Sequence, residues 1–418
     1  MFAQMPRQLL TGAHVAAPDG TARPVAIRIV DGVIAAIGDL HAEPGEPTRS
    51  LEGYLVLPAA VEAHAHLDKA FLADRIANPT GDLRGAIEAM ERNRGSLTVA
   101  DVIARAVRAA ELMARNGFRA VRTHADVTTD NGLRSVEGLI EVRRRVAEII
   151  DREIVALCGW PVLGRAGADQ RALLRDALDL GADLVGGCPH LEEEGTRPAT
   201  EYLLGVAVER ELAVDLHTDE TLDPGIRGLA DLAEIVADGF PHPVTASHCV
   251  SLSMVPSDEQ RRVAEQVAAA GIGVIALPHT NLYLQGRGHV PMPRGLTAVA
   301  ALREAGVTVA AGGDNLQDPF NPLGRGCPLE TAGLMMLTCH LSAPDAYDAV
   351  SASAAMVTGR APADVEVGAP ADLLAVRADS LRHAIAFTPE DRIALRGGRE
   401  IGVVRGEGGI ANLPETSP

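Results

Sequence analysis

The chain reads as an α/β protein: a (β/α)8 barrel of the TIM type with a small β-sandwich appended from its two terminal segments. Two patterns predict this. Between residues 55 and 359, short apolar strands alternate with helical stretches rich in Ala, Arg and Glu, and on either side of that region the pattern turns β-like. A third observation marks the working end of the barrel: histidines and aspartates recur where the strands stop, which is where barrels build their sites.

The first β segments are residues 9–15 and 25–38. In the second, Asp31-Gly32 separates two alternating apolar runs, the two-residue signal of a tight hairpin. Barrel strands are expected at 55–58, 120–124, 154–160, 184–189, 213–217, 244–248, 273–277 and 307–312, with helices such as 98–116, 136–150 and 170–180 between them. After Pro362 the chain returns to β character at 371–376 and 401–404, among Gly and Pro turns. The expected domains are therefore 1–55 and 362–418, pairing as one sandwich, and the metal-dependent barrel over 56–361. The tail over 412–418 is expected to be loose.

With 47% hydrophobic and 22% charged residues in 418, the chain has ample material for a core. Its net charge of -18 argues against a nucleic-acid or anionic-membrane partner, whose surfaces need clustered cations. No stretch resembles a secretory leader, and no run of about 20 apolar residues appears. A cytoplasmic protein is expected. The five cysteines are widely spaced and never form Cys-x-x-Cys, which suggests buried thiols rather than disulfides or a thiolate zinc site.

His64 and His66 close the first apolar run, and alternation along a strand puts residues i and i+2 on one face, where two imidazoles can grip one ion. Strand two ends at His124 with Asp126, strand four at His190, strand five at His217, strand six at His248 and strand eight at Asp314. Six of 13 histidines thus fall at predicted strand ends, a concentration that favours a metal site of neutral imidazoles and a carboxylate. Singly the signals are weaker: a lone His217 is more often structural, and an Asp after Gly312-Gly313 can simply start a turn. Lys69 is the sole lysine.

The segments His64-Ala65-His66-Leu67-Asp68, Val121-Arg122-Thr123-His124-Ala125-Asp126-Val127, Leu216-His217-Thr218-Asp219-Glu220, Val244-Thr245-Ala246-Ser247-His248, Asn281-Leu282-Tyr283-Leu284-Gln285-Gly286-Arg287 and the run from Gly313 to Gly324 carry a resemblance. In them the chain resembles the amidohydrolase superfamily, within it the cytosine-deaminase-like branch. The resemblance implies that His64, His66, His217 and Asp314 hold one divalent ion, zinc or iron. Binuclear members bridge two metals with a carbamylated mid-barrel lysine. No lysine exists there, so a mononuclear centre is expected.

The resemblance further implies attack of metal-bound hydroxide on a ring carbon of an amino-substituted nitrogen heterocycle, pyrimidine, triazine or pterin-like, with release of ammonia. Glu220 would move a proton from water to a ring nitrogen, His248 would orient the hydroxide or stabilise charge, and Asp314 would take the first proton. The chain departs from cytosine deaminase in having Trp160-Pro161-Val162 on strand three, Asn315 where an acid follows the metal-binding Asp, and Phe320 in place of a tryptophan. Cytosine itself is therefore not the expected substrate. Gln285, His124, His190, Asn281, Asn315, Phe320 and Trp160 are the candidate substrate contacts. His124, Asp126, His190 and Asn281 suit the support of metal ligands equally well, and Trp160 suits the barrel core. Two other readings stay open: release of an alkylamine or opening of a cyclic amide, and a catalytically silent binding barrel. Relatives of this kind often self-associate, so a homo-oligomer is compatible with the resemblance.

Overall fold

The computed structural model describes residues 7–16 and 22–404; the tail expected to be loose lies outside the described residues. The chain begins with β1 (Arg7–Ala16), β2 (Ala22–Val30) and β3 (Val33–Gly38), an antiparallel meander. Its second turn is the expected one: Asp31 and Gly32 both adopt positive φ (50° and 81°), which a type I′ hairpin demands at both central positions. β4 (Thr48–Ser50) and β5 (Tyr54–Pro58) then pair parallel to β1.

The barrel follows as β6 (Ala60–Ala65), β7 (Phe118–Val127), β8 (Asp151–Cys158), β9 (Leu184–Gly187), β10 (Val214–Thr218), β11 (Val244–His248), β12 (Gly273–Ala276) and β13 (Val309–Ala311). Neighbours in sequence are neighbours in the sheet and all pair parallel. Closure occurs beyond β13, where Ala65 bridges Asp314 and the Asp314 amide donates to the His64 carbonyl at 2.9 Å. The barrel is therefore sealed by residues of the candidate site itself.

β14 (Leu373–Arg377), β15 (Arg392–Arg396) and β16 (Arg399–Val404) return to the first sheet, in the order β16-β15-β14-β5-β1-β2-β3. The expected sandwich is one continuous sheet that curls around its own core of Leu10, Ile27, Ile29, Ile34, Val56, Leu373, Ile393 and Leu395. Two of its turns tie back to other strands: the Ala371 amide, just before β14, donates to Gly32 O at 2.8 Å in the β2–β3 turn, and the Gln8 side-chain amide of β1 donates to Gly398 O in the β15–β16 turn.

One expectation needs correction. Residues 55–58, read as the first barrel strand, lie in β5 and pair with β14, Leu55 opposite Val376 and Leu57 opposite Leu374. The hydrogen bonds change sheets between two consecutive residues: the Ala59 amide donates to Asp372 O, the Ala60 amide to Gly117 O. The run from Tyr54 to Ala65 is almost wholly buried in both sheets, so it carries no polar alternation to show where one strand stops.

The helices follow ordinary rules. Over Val99–Arg115, Val102, Ala106, Ala109, Ala110 and Met113 turn one face to the barrel, and the Thr98 side chain caps the Asp101 amide. A Cβ on Gly117 would sit 2.8 Å from the Leu374 side chain, so the turn into β7 packs directly on the terminal sheet. Among the described residues no helix is long and apolar enough to cross a membrane.

Candidate metal centre and substrate pocket

Four side chains converge at the C-terminal end of the barrel. His64 Nε2 lies 3.4 Å from His66 Nε2, and His66 Nε2 lies 3.2 Å from His217 Nε2. Asp314 Oδ1 is 3.4 Å from His64 Nε2 and 3.3 Å from His66 Nε2. All four residues are buried, and both Asp314 oxygens lack a hydrogen-bond donor among the described residues. Donor atoms about 2.1 Å from one tetrahedral ion stand about 3.4 Å from each other, so these contacts have the spacing of a ligand cage. Burial holds His217 well below, and His66 below, the usual imidazole range, and neutral rings are what a metal requires. The residues fit a divalent ion.

The cage is held from behind by groups the sequence did not advertise. His64 Nδ1–H donates to Ser247 Oγ at 2.9 Å, and Ser247 Oγ–H to Asp215 Oδ1 at 3.0 Å. Asp215 Oδ2 in turn accepts from Arg122 at 2.9 Å, and Arg122 Nε donates to Glu153 at 2.7 Å. This chain leaves Nε2 of His64 as the lone-pair nitrogen, pointing at the cage. On the other side Glu62 Oε1 accepts the amides of His64 (3.3 Å) and Gly313 (2.9 Å), tying together the backbones that carry two of the four cage residues. Burial pushes the Glu62 carboxyl up to about 8.

Beside the cage stand Glu220 and His248. Asp219, at φ 52°, turns the chain after β10, and its carboxylate caps the next helix through the amides of Gly228 and Leu229, both at 2.9 Å. Glu220, the next residue, thereby faces the pocket. Burial, reinforced by the Asp314 charge, holds its carboxyl well above the usual range. His248 Nδ1 accepts from the Asn281 amide at 3.0 Å and lies 3.6 Å from Glu220 Oε1, which leaves the ring proton on Nε2. Burial drives His248 down to about 3, so it is neutral at physiological pH.

These groups floor a pocket that opens at the C-terminal end of the barrel. Its wall holds Lys69, Asp126, Arg94 and Asn315, and its mouth Leu83, Ile87, Leu191, Trp160 and Phe320. Leu83 and Ile87 come from the helix Leu83–Asn93, started by Asp82, whose side chain accepts the Gly85 amide at 2.8 Å. A Cβ at Gly85 would fall 1.8 Å from Thr80 Oγ1, so glycine is what lets that cap close.

Residues 103–407, well over half of the chain, match the model of the Amidohydrolase family. The chain belongs to that family. A pterin deaminase of Rhizobium rhizogenes is 32% identical over 385 residues, covering 90% of this chain and 87% of that protein. Among solved structures, 5-methylcytosine deaminase from Klebsiella pneumoniae liganded with 5-fluorocytosine superposes with a TM-score of 0.85 at 29% identity, covering 97% of this chain and 99% of that one. N-isopropylammelide isopropylaminohydrolase from Burkholderia multivorans gives 0.80 at 30% identity, covering 95% and 98%.

In this amidohydrolase the expected contact residues divide. Trp160, Asn315 and Phe320 line the pocket, and Trp160, 38% exposed at the mouth, is not a core residue. The other four stand behind it. His124 stacks on His64 with ring centroids 3.9 Å apart, part-way along β7 rather than at its end. His190 Nδ1 meets the His217 carbonyl at 3.1 Å, Asn281 holds His248, and the Gln285 amide donates to the Glu220 carbonyl at 3.3 Å. Burial lowers His190 to about 4, so it serves as a neutral brace. Lys69 and Arg94 are pocket residues that the sequence did not reveal. Their carboxylate partner, Asp126, was expected as a contact to the ring or a support of the metal ligands, and it holds both cations of the wall.

Proposed function

We propose that this amidohydrolase is a hydrolytic deaminase of an amino-substituted nitrogen heterocycle, holding one zinc or iron ion on His64, His66, His217 and Asp314. The observation that carries the reading is a buried Glu220, its carboxyl held above the usual range, beside a neutral His248, on the floor shared with His66, His217 and Asp314. A divalent ion held there supplies a water made acidic enough to attack at neutral pH.

The side chains supply the rest. Glu220 accepts a proton from the attacking water and delivers it to a ring nitrogen, a task suited to a carboxyl raised toward neutrality. His248 Nε2–H donates to the oxygen that becomes the new ring carbonyl. Trp160 and Phe320 offer aromatic faces to a flat ring at the mouth, and the depth of the site limits water around the reacting carbon. A water is consumed, a ring amino group becomes a carbonyl, and ammonia leaves. The deaminase relatives support this reading. The sole lysine, turned into the pocket wall, supports a single ion, since binuclear members need a mid-barrel lysine.

The test is a panel of pterins, aminopyrimidines, aminotriazines and alkylaminotriazines, offered to protein of measured metal content, with ammonia read by a coupled assay and organic products by mass. Stoichiometric ammonia is the expected result. An alkylamine or a ring-opened acid without ammonia sinks the deaminase reading in favour of the amine-releasing or cyclic-amide alternative.

A further inference from the structure

We infer that Lys69 is the specificity-determining hydrogen-bond donor of the pocket, selecting heterocycles that carry a ring carbonyl in addition to the reacting amino group. This rests on the deaminase reading and names the substrate class for the same site.

Lys69 is the only lysine of the chain, is 4% exposed and lines the pocket. Its Nζ lies 2.5 Å from Asp126 Oδ1 and 5.4 Å from the centroid of the Phe320 ring. An ammonium carries three hydrogens, and among the described residues Asp126 is its one hydrogen-bond partner. Of the neighbouring acids, Asp126 Oδ2 is committed to Arg94 at 3.0 Å, Asp318 to the Asn315 side-chain amide at 2.7 Å and the Phe320 amide at 2.8 Å, and Asp68 Oδ2 to the Asp126 amide at 3.0 Å, while Asp68 Oδ1 has no partner among the described residues. The remaining hydrogens of Lys69 make no hydrogen bond among the described residues, on a side chain that lines the pocket.

Arg94, the other cation of the wall, turns both terminal nitrogens to carboxylates and leaves Nε without a partner among the described residues. Its guanidinium donates to Asp126 at 3.0 Å and to both oxygens of Asp130 at 3.0 and 3.1 Å. Arg94 positions Asp126, and Asp126 positions Lys69.

The chemistry of the ligand follows. An ammonium only donates, so it attracts a carbonyl oxygen and repels a second amino group. The positive charge is already balanced by Asp126, with Asp68 close enough to act on it and Glu220 lining the same cavity. A neutral carbonyl suits this wall better than a carboxylate or phosphate. Sites built to hydrogen-bond a substrate group discriminate strongly against analogues that lack it, because buried donors are then left unmade.

The experiment titrates 2-amino-4-oxopteridine and 2-aminopteridine, which differ in the carbonyl, into metal-loaded protein by calorimetry. Emission of Trp160, the sole tryptophan and a pocket residue, reports occupancy of this cavity. A Glu220→Gln background suppresses turnover, and ammonia release there counts against the proton-shuttle role of Glu220 rather than against Lys69. The oxo ligand is expected to bind on the order of 100-fold tighter than its partner, and Lys69→Met to shrink that preference to below about threefold with metal content unchanged. Lys69→Gln, which keeps a donor, retains part of the preference and serves where the Met variant fails to fold. An undiminished preference in either variant overturns the inference. So does equal weakening of both ligands, which is what a merely structural lysine produces, or the absence of any preference in the parent.

Discussion

Removing one hydroxyl behind the metal cage separates a ligand that is merely present from one that is held. Ser247 Oγ accepts from His64 Nδ1 at 2.9 Å and donates to Asp215 Oδ1 at 3.0 Å, with all three residues buried. Ser247→Ala leaves a neutral N–H orphaned, at a cost of about 1–3 kcal/mol. Asp215 keeps Arg122 on its other oxygen at 2.9 Å, so its loss stays at the lower end of the ~1.5–3 kcal/mol of a charged hydrogen bond. The expected destabilisation is about 2.5–4.5 kcal/mol. Zinc affinity falls for a separate reason: His64 is free to carry its proton on Nε2 and to rotate. Loss of such an outer partner weakens metal binding roughly 10–100-fold. Competition against a chromophoric chelator at pH 7 reads the affinity, and thermal unfolding of the metal-free protein reads the stability. Ser247→Thr, which keeps the hydroxyl, is expected to recover most of both. If Ser247→Ala unfolds earlier yet binds zinc within about twofold of the parent, the hydrogen-bond chain is packing alone and the orientation argument fails.

His217→Ala and Asp314→Ala are expected to lose bound metal and turnover together, as measured by elemental analysis and ammonia release; full metal content in either removes that residue from the cage. Glu220→Gln is expected to keep the metal and slow turnover on the order of 100- to 10,000-fold, and a near-normal rate refutes the proton-shuttle role. Far from the site, Glu46 accepts from Arg28 at 2.8 and 2.9 Å, from the Glu43 amide at 3.0 Å and from Arg7 at 2.9 Å, contacts that lower its carboxyl to about 2. Its folded value lies below the ordinary 4.5, so its stabilisation is present above about pH 4.5 and lost as the pH falls toward 2. Glu46→Gln should flatten the acid limb of the stability curve between those values, and an unchanged acid limb contradicts the assignment.

The convergence of these four side chains was legible because they obey two rules visible in one dimension: strand alternation gives His64 and His66, and the ends of buried strands give His217 and Asp314. The Asp31-Gly32 hairpin was legible because a positive φ at both central positions restricts the residues that fit. The first barrel strand was misplaced because burial on both faces erased periodicity on each side of Ala59. Gln285 illustrates a different limit: a motif places a backbone near a site but does not fix where the side chain points, and this amide turns to the Glu220 carbonyl. The supports were silent for a plainer reason. Nothing local in Arg122 predicts Asp215, a partner 93 positions away, in a chain where arginine also decorates the outer helices.

That silence has a physical counterpart. A barrel interior filled with branched aliphatic residues needs only volume, whereas this one carries Arg122, Asp215, Thr245 and Ser247 in a fully buried network beneath His64. Burying such charges is costly unless each is paired, and here Arg122 is shared between Asp215 and Glu153. Apolar packing would spare that cost, but it would leave His64 Nδ1 without an acceptor and its tautomer undetermined. The network therefore makes sense as the foundation of the cage rather than as a source of stability. The same logic runs through the pocket wall, where Arg94 fixes Asp126 and Asp126 fixes Lys69. In both places a buried arginine orients a carboxylate, and the carboxylate, directly at Lys69 and through Ser247 at His64, orients the group proposed to meet the ring or the ion.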